Sequence, residues 1–168
     1  MTAETFAADL ADDALVLLVG PSGSGKSTWA ARHFGPEQVL SSDACRHLVA
    51  GDAADQSATA DAFKVLHVIA RARLRRGLFT VVDATNLTQR ARRGLLRLAS
   101  RAERPVVAIA FDFSLERCLA QNAARPERRV PDDVIQRHHR EMRSALEQLA
   151  SEGYAEIRVL RDSDITAA

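Results

Sequence analysis

Residues 20–27, GPSGSGKS, place glycines, a lysine and a serine in the order G-x-x-x-x-G-K-S. Gly20, Gly23 and Gly25 let the backbone bend around an anion, and the bared N–H groups and a following helix N-terminus would face phosphate oxygens. In such a cradle Lys26 reaches the β- and γ-phosphates and Ser27 supplies a hydroxyl to Mg²⁺, with Ser22, Ser24 and Thr28 completing the expected nucleotide contacts. The chain holds two lysines, Lys26 and Lys64, against 21 arginines. A lysine kept at this position fits a compact, flexible point charge on a terminal phosphate. The pattern predicts a nucleoside triphosphate such as ATP. It does not say what becomes of it, because motors, switches, kinases and synthetases share it.

A second stretch, VLSSDACRHLV (39–49), sets Asp43 and Arg46 three residues apart, on one face of a helix. Taken alone this is a solvated ion pair. Beside a γ-phosphate it becomes half of a transfer reaction. Asp43 would orient an attacking hydroxyl until the transition state acidifies it, and Arg46 would fork onto a phosphate of the acceptor molecule. Asp83, in VVDATN (81–86), is a candidate to hold Mg²⁺ through water, or else a capping acid. Thr85 and Asn86 either line the acceptor pocket or make an Asx-type turn before Thr88. In QNAARPERRV (121–130), Pro126 and three arginines interrupt two helices. This predicts a lid over about 121–131 whose Arg125 and Arg128 close on the γ-phosphate. The alternative is an exposed loop whose arginines, Arg129 above all, pair with Glu127 and Asp132.

These residues need a frame. ALVLLVG (14–20) is a continuous apolar run of the kind that forms a strand buried on both faces. QVLSS (38–42), FTVVDATN (79–86), PVVAIAFDF (105–113) and AEIRVL (155–160) read as further strands. Helices are expected over 26–34, 43–51, 57–77, 88–101, 114–124 and 132–153. Ser57 or Thr59, Thr88 and Ser114 serve as caps, and Gly51 and Gly77 as stops. Strands alternating with helices predict a parallel sheet with right-handed crossovers, whose polar residues collect at the carboxyl ends of the strands. The strand bearing Asp43 is expected to lie directly beside the cradle strand.

Composition agrees with one globular domain over 14–168, preceded by an acidic, disordered leader over 1–13. The net charge of +1 predicts no bulk attraction to nucleic acid or membrane, yet residues 64–104 carry eleven basic side chains against two acidic ones. Arg90, Arg93, Arg97 and Arg101 fall on one helix face, either a solvated face or a track for a nucleic-acid backbone. Two cysteines are too few for a disulfide framework and predict a reducing, cytoplasmic setting, and no run reaches membrane length. The five histidines show no zinc spacing, and the adjacent His138 and His139 are expected at the surface.

Taken in order, GPSGSGKST, VLSSDACRHLV, DQSATADAFKVLH, TVVDATN, ARRGLL, RPERRVPDDVI and EGYAEIRVL resemble the polynucleotide 5′-kinases. The resemblance is greatest to the kinase module of the bacterial polynucleotide kinase–phosphatase of RNA end healing and repair, and it covers nearly all of 14–160. It implies an α/β P-loop NTPase fold with an adenylate-kinase-like parallel sheet of about five strands, flanked by helices and bearing a short Arg-rich lid. It implies transfer of the γ-phosphoryl of ATP or another NTP to a 5′-hydroxyl end of RNA or DNA, with Mg²⁺. Lys26 and Ser27 would bind the donor and Asp43 would act as general base. Arg46 would hold the acceptor's 3′-phosphate, Gln56 would lie in the acceptor site, and Arg125 and Arg128 would be lid residues. Related lids carry arginine before the asparagine, where this chain has Gln121 before Asn122. The related enzyme carries phosphatase and ligase-like domains after its kinase, so this chain is expected either to act alone or to depend on separate phosphatase and ligase repair partners. Two rivals keep the donor site: a kinase acting on a nucleoside, sugar or sugar acid, and a nucleotide-binding partner module with little transferase activity.

Overall fold

A computed structural model describes residues 9–124 and 129–165. Five strands form one parallel sheet: β1 (Leu15–Val19), β2 (Val39–Ser41), β3 (Thr80–Asp83), β4 (Val106–Asp112) and β5 (Glu156–Arg161). Their spatial order is β2-β3-β1-β4-β5. The strand beside the cradle strand is therefore β3, not β2 as the sequence reading had it. Leu18 and Ser41 both stand opposite Asp83 in register. Neighbouring strands lie about 4.8 Å apart, so the ends of β1 and β2 are separated by roughly 10 Å with Asp83 between them.

Among the described residues seven helices accompany the strands: α1 (Lys26–His33), α2 (Ser42–Ala50), α3 (Thr59–Arg75), α4 (Gln89–Arg101), α5 (Leu115–Ala123) and α6 (Asp132–Leu149) between them, and the short α7 (Asp162–Ile165) after the last. β1 alternates between two cores. Leu15, Leu17 and Val19 pack with Leu66 and Leu74 of α3, Leu95 and Ala99 of α4, and Met142, Ala145 and Leu149 of α6. Val16 and Leu18 pack with Trp29 of α1, Cys118 of α5 and Ile135 at the start of α6. A strand buried on both faces explains the unbroken apolar run.

The local signals hold where they are short-range. Ser41, Thr88 and Ser114 each accept a backbone N–H three residues on, and Gly51 ends α2 at φ 74°. Neither Ser57 nor Thr59 caps α3. A 3-10 turn over Gln56–Ala58 precedes it, and Asp55 caps that turn through the Ser57 N–H. Residues 9–13, expected within a disordered leader, are tied down: Asp13 pairs with Arg104 and Leu10 packs on the second core. Residues 1–8 lie outside the described ones. No helix among the described residues is long and apolar enough to cross a membrane.

Candidate functional site

All five strands run the same way, so the cradle, the end of β2, Asp83 and the end of β5 come to one edge, as the alternation predicts. The cradle is tightly built. Gly23 and Gly25 take φ 80° and 82°, and a Cβ on Gly23 would stand 2.5 Å from the Cys118 carbonyl oxygen of α5. Only glycine meets both demands. The Gly20 N–H donates to the Thr85 carbonyl at 2.9 Å, joining the cradle to the loop after β3. Lys26 is buried, and its ammonium donates to the carbonyls of Gly20 (2.9 Å) and Pro21 (2.6 Å) and to Ser24 Oγ (3.2 Å). Its charge is thus held against the loop where a terminal phosphate would lie. Ser27 and Thr28 are exposed at the start of α1.

On the far side of Asp83, α2 carries the pair predicted from spacing. Arg46 Nη1 donates to Asp43 Oδ1 at 2.6 Å and to the Ala53 carbonyl at 2.6 Å. The guanidinium is almost fully buried, whereas the Asp43 side chain keeps 38% of its surface exposed. The buried Nε donor of Arg46 has no hydrogen-bond partner among the described residues. An unmatched donor on a buried cation is costly unless an anion completes it, which is what a phosphate-binding arginine requires. Gln56 is exposed and turns its amide to the Ala54 carbonyl at 3.3 Å, next to the backbone that holds Arg46.

Asp83 is buried at the edge between the two halves. Asn86 is not an open acceptor contact. It sits at φ 47°, is 1% exposed, and donates through Nδ2 to the Leu18 carbonyl at 2.8 Å. A polar side chain so placed is a clasp between β1 and the β3–α4 loop, closer to the turn reading than to the pocket reading. Thr85 is half-buried beside it. Among the described residues no group of three or more His, Cys, Asp or Glu could hold a metal. Mg²⁺ needs no such cage, because it keeps several waters and takes one or two protein oxygens plus phosphates. The hydroxyl of Ser27 and the carboxylate of Asp83 fit that limited donor set.

Three residues enter the site that sequence reasoning placed elsewhere. His138, expected at the surface, turns inward from α6, with its Nδ1 3.1 Å from Ser22 Oγ and 3.5 Å from the Ser22 N. Burial pushes its pKa below the usual histidine value, Arg137 and Lys26 add to the fall, and Glu141 opposes it. The neutral ring accepts from the cradle. Arg92, one of a run of arginines on α4, is wholly buried and donates to the Asn86 and Leu87 carbonyls at 2.8 and 2.9 Å. Gln121 of α5 lies against the cradle, its buried Oε1 3.1 Å from where a Cβ on Gly25 would stand. Asn122 closes the base of the expected lid through two bonds to Val130, at 2.8 and 3.0 Å. Arg129 pairs with Asp132 at 3.7 Å, the solvated alternative for that residue. Arg125 and Arg128 lie outside the described residues.

Comparison with known proteins bears on the family and the fold. A family model described as an AAA domain matches residues 15–149. No curated protein matches the sequence. Among solved structures, a chain of the Pnkp1/Rnl/Hen1 RNA repair complex superposes with a TM-score of 0.70 at 23% identity, covering 80% of this chain and 45% of that one. This chain thus spans less than half the length of that relative. A sugar kinase from Janibacter sp. HTCC2649 gives 0.57 at 20% identity, over 88% of this chain and 84% of that one. The Mycobacterium tuberculosis APS kinase CysC, in complex with AMPPNP and APS, gives 0.52 at 23%, over 79% and 96%. At these identities the likenesses show the fold alone: a five-stranded parallel sheet flanked by helices with a P-loop after its first strand, as the resemblance implies.

Proposed function

The chain belongs to the AAA domain family, and on that premise we propose that it moves the γ-phosphoryl of ATP, or of another NTP, to the 5′-hydroxyl end of a polynucleotide. The observation that carries the reading is the pair on α2. An acid with an exposed carboxylate and a buried arginine with an unmatched donor stand across Asp83 from the cradle. A donor site alone needs neither.

In this reading the cradle and Lys26 fix the triphosphate. Asp43 holds the acceptor hydroxyl in line and takes its proton as the new O–P bond forms and the bond to the departing nucleoside diphosphate breaks. Arg46, steadied by Asp43 and the Ala53 carbonyl, receives a phosphate of the acceptor through its remaining donors, with Gln56 and Thr85 flanking it. Ser27 and Asp83 would hold Mg²⁺, which neutralises charge on the phosphates when bound. The acceptor is a nucleic-acid end, and separate phosphatase and ligase activities would be its partners in repair.

A second reading, a small-molecule kinase, is supported by the likeness to the sugar kinase and the APS kinase, whose folds are matched over most of their own chains. The experiment offers γ-labelled ATP and Mg²⁺ with 5′-hydroxyl RNA and DNA oligonucleotides, a nucleoside 3′-monophosphate and a panel of sugars. Label on oligonucleotides supports the polynucleotide reading. Label on small acceptors alone supports the second. ATP binding with no acceptor labelled would leave a partner module. Asp43→Asn should lower turnover by about 10²–10⁴ while ATP affinity persists. Lost ATP affinity with turnover intact would remove Asp43 from its role.

A further inference from the structure

The outer face of α4 carries charge of one sign. Arg90, Arg93, Arg97 and Arg101 are all exposed, and none makes an ion pair or side-chain hydrogen bond among the described residues. Their spacing sets like charges over one another along the helix, which opposes helix formation. The first turn of α4 contains no acidic residue, so Arg90 also meets the positive end of the helix dipole uncompensated. Their field reaches inward. Arg97, after burial, is the second cause holding the His67 pKa down. An arrangement that works against its own helix four times over is the arrangement a polyanion would relieve.

Its position says which polyanion. α4 begins directly after the Asp83–Asn86 loop, at the edge where the acceptor hydroxyl would sit, and runs down the side of the sheet. Arg90 to Arg101 covers roughly 16 Å at 1.5 Å per residue. Along its length Arg93 and Arg97 reach a shallow groove of about 510 Å³, walled also by Ser100, Arg104 and Tyr154. Towards the C-terminal end of the stripe α3, packed beside α4, adds exposed Arg71 and Arg75, and Arg76 follows as its C-cap. We propose that this stripe binds the sugar–phosphate backbone of a single-stranded nucleic acid, leading the strand away from the 5′ end held at Asp43 and Arg46. The proposal rests on the polynucleotide reading for its direction, but the surface makes its own claim. It would favour long acceptors over small ones on a scaffold shared with small-molecule kinases.

The test separates the two claims by measuring binding without transfer. Fluorescence anisotropy of a 5′-phosphorylated oligonucleotide, which cannot accept a phosphoryl group at that end, is followed without ATP from 50 to 200 mM salt. Wild type is compared with the R90Q/R93Q/R97Q/R101Q variant. Four neutralised phosphates contribute about −2.8 to the slope of log K against log salt on a single strand, so the variant's slope should be shallower by about that amount and its affinity lower. The thermal midpoint of the variant should hold or rise, because repulsion is relieved. Equal slopes and affinities would overturn the stripe even if oligonucleotides are labelled. Weaker, shallower binding by the variant would uphold it even if they are not. Equally tight binding of a polyglutamate of matched charge, lost in the same variant, would overturn the nucleic-acid assignment.

Discussion

Arg92 offers the sharpest test of how the site is held. Its guanidinium has five N–H donors, and all five are used: Nε and Nη2 to the two Glu152 oxygens at 2.7 and 2.6 Å, Nη2 also to Gln148 Oε1 at 3.1 Å, and Nη1 to the Asn86 and Leu87 carbonyls. Its side chain is 0% exposed and that of Glu152 is 4%. Replacing Arg92 with Met keeps much of the volume but leaves the buried Glu152 carboxylate with the Tyr154 hydroxyl at 3.4 Å in place of its cation, and strips two carbonyls of the Arg92 donor. Breaking such a pair costs about 3–5 kcal/mol. A domain of this size shifts by about 2–4 °C per kcal/mol, so the midpoint should fall by roughly 6–20 °C. Arg92→Lys should fall in between, since three donors on a point charge cannot copy a planar fork. A double change, R92M with E152M, should recover part of the loss, because an apolar pair removes the stranded charge. Thermal and urea unfolding of the four proteins decide it. If Arg92→Met costs under about 1 kcal/mol, or the double variant is worse than the single, the buried pair is not what fixes this loop. The consequence for the site is direct. Arg92 holds Asn86, Asn86 holds the Leu18 carbonyl, and Thr85 takes the Gly20 N–H, so ATP affinity should weaken along with stability.

Other outcomes follow from the same geometry. His138 has its pKa depressed in the folded state, so its contribution to stability is full above the unfolded value near 6.5 and is lost as pH falls through the folded value. Urea-unfolding stability of wild type should therefore drop more steeply on mild acidification than that of His138→Gln, and parallel profiles would remove His138 from this role. Gly23→Ala combines φ 80° with a 2.5 Å approach to the Cys118 carbonyl. It should cost at least the 1–3 kcal/mol typical of a strained left-handed residue and abolish ATP binding, checked by unfolding and calorimetry. Lys26→Met removes the only cation hydrogen-bonded to the loop carbonyls among the described residues, and should weaken ATP binding and slow transfer together. A variant with weaker binding but normal turnover would mean that Lys26 grips only the ground state.

What the sequence showed and what it hid differ in range. The cradle, the caps at Thr88 and Ser114 and the stop at Gly51 depend on residues within one turn of each other, and they appear where spacing put them. The insertion of β3 between β1 and β2 is a pairing of distant segments, and no local pattern encodes it. Two of the hidden residues nonetheless left a trace. Arg92 shares helical phase with the buried Leu95 and Ala99, three and seven residues on, and so never belonged with the exposed Arg90 and Arg93. His138 stands between Ile135 and Met142 on the stripe that continues to Ala145 and Leu149. Testing the histidines for metal spacing passed over that phase. The partners, Glu152 for one and Ser22 for the other, lie 60 and 116 residues away, and nothing short of the fold names them.

These two side chains also explain why the donor half of the site is easier to read than the acceptor half. Each is a polar group set in the apolar stripe of a helix, and each reaches the carboxyl-end edge of the sheet: Arg92 under the β3–α4 loop, His138 onto the cradle itself. The phosphate site is thus fixed from inside by groups whose burial leaves them one arrangement, as preorganised electrostatics requires. The acceptor side is built differently. Asp43 is part-exposed, Gln56 is exposed, and the arginines of α4 stand in solvent. Exposed side chains can change without unfolding the protein, so this rim can alter while the cradle stays as it is. Acceptor identity should accordingly respond to exchanges at Arg46, Gln56 and the α4 stripe, while exchanges at Arg92 or His138 should weaken every acceptor alike by loosening the donor.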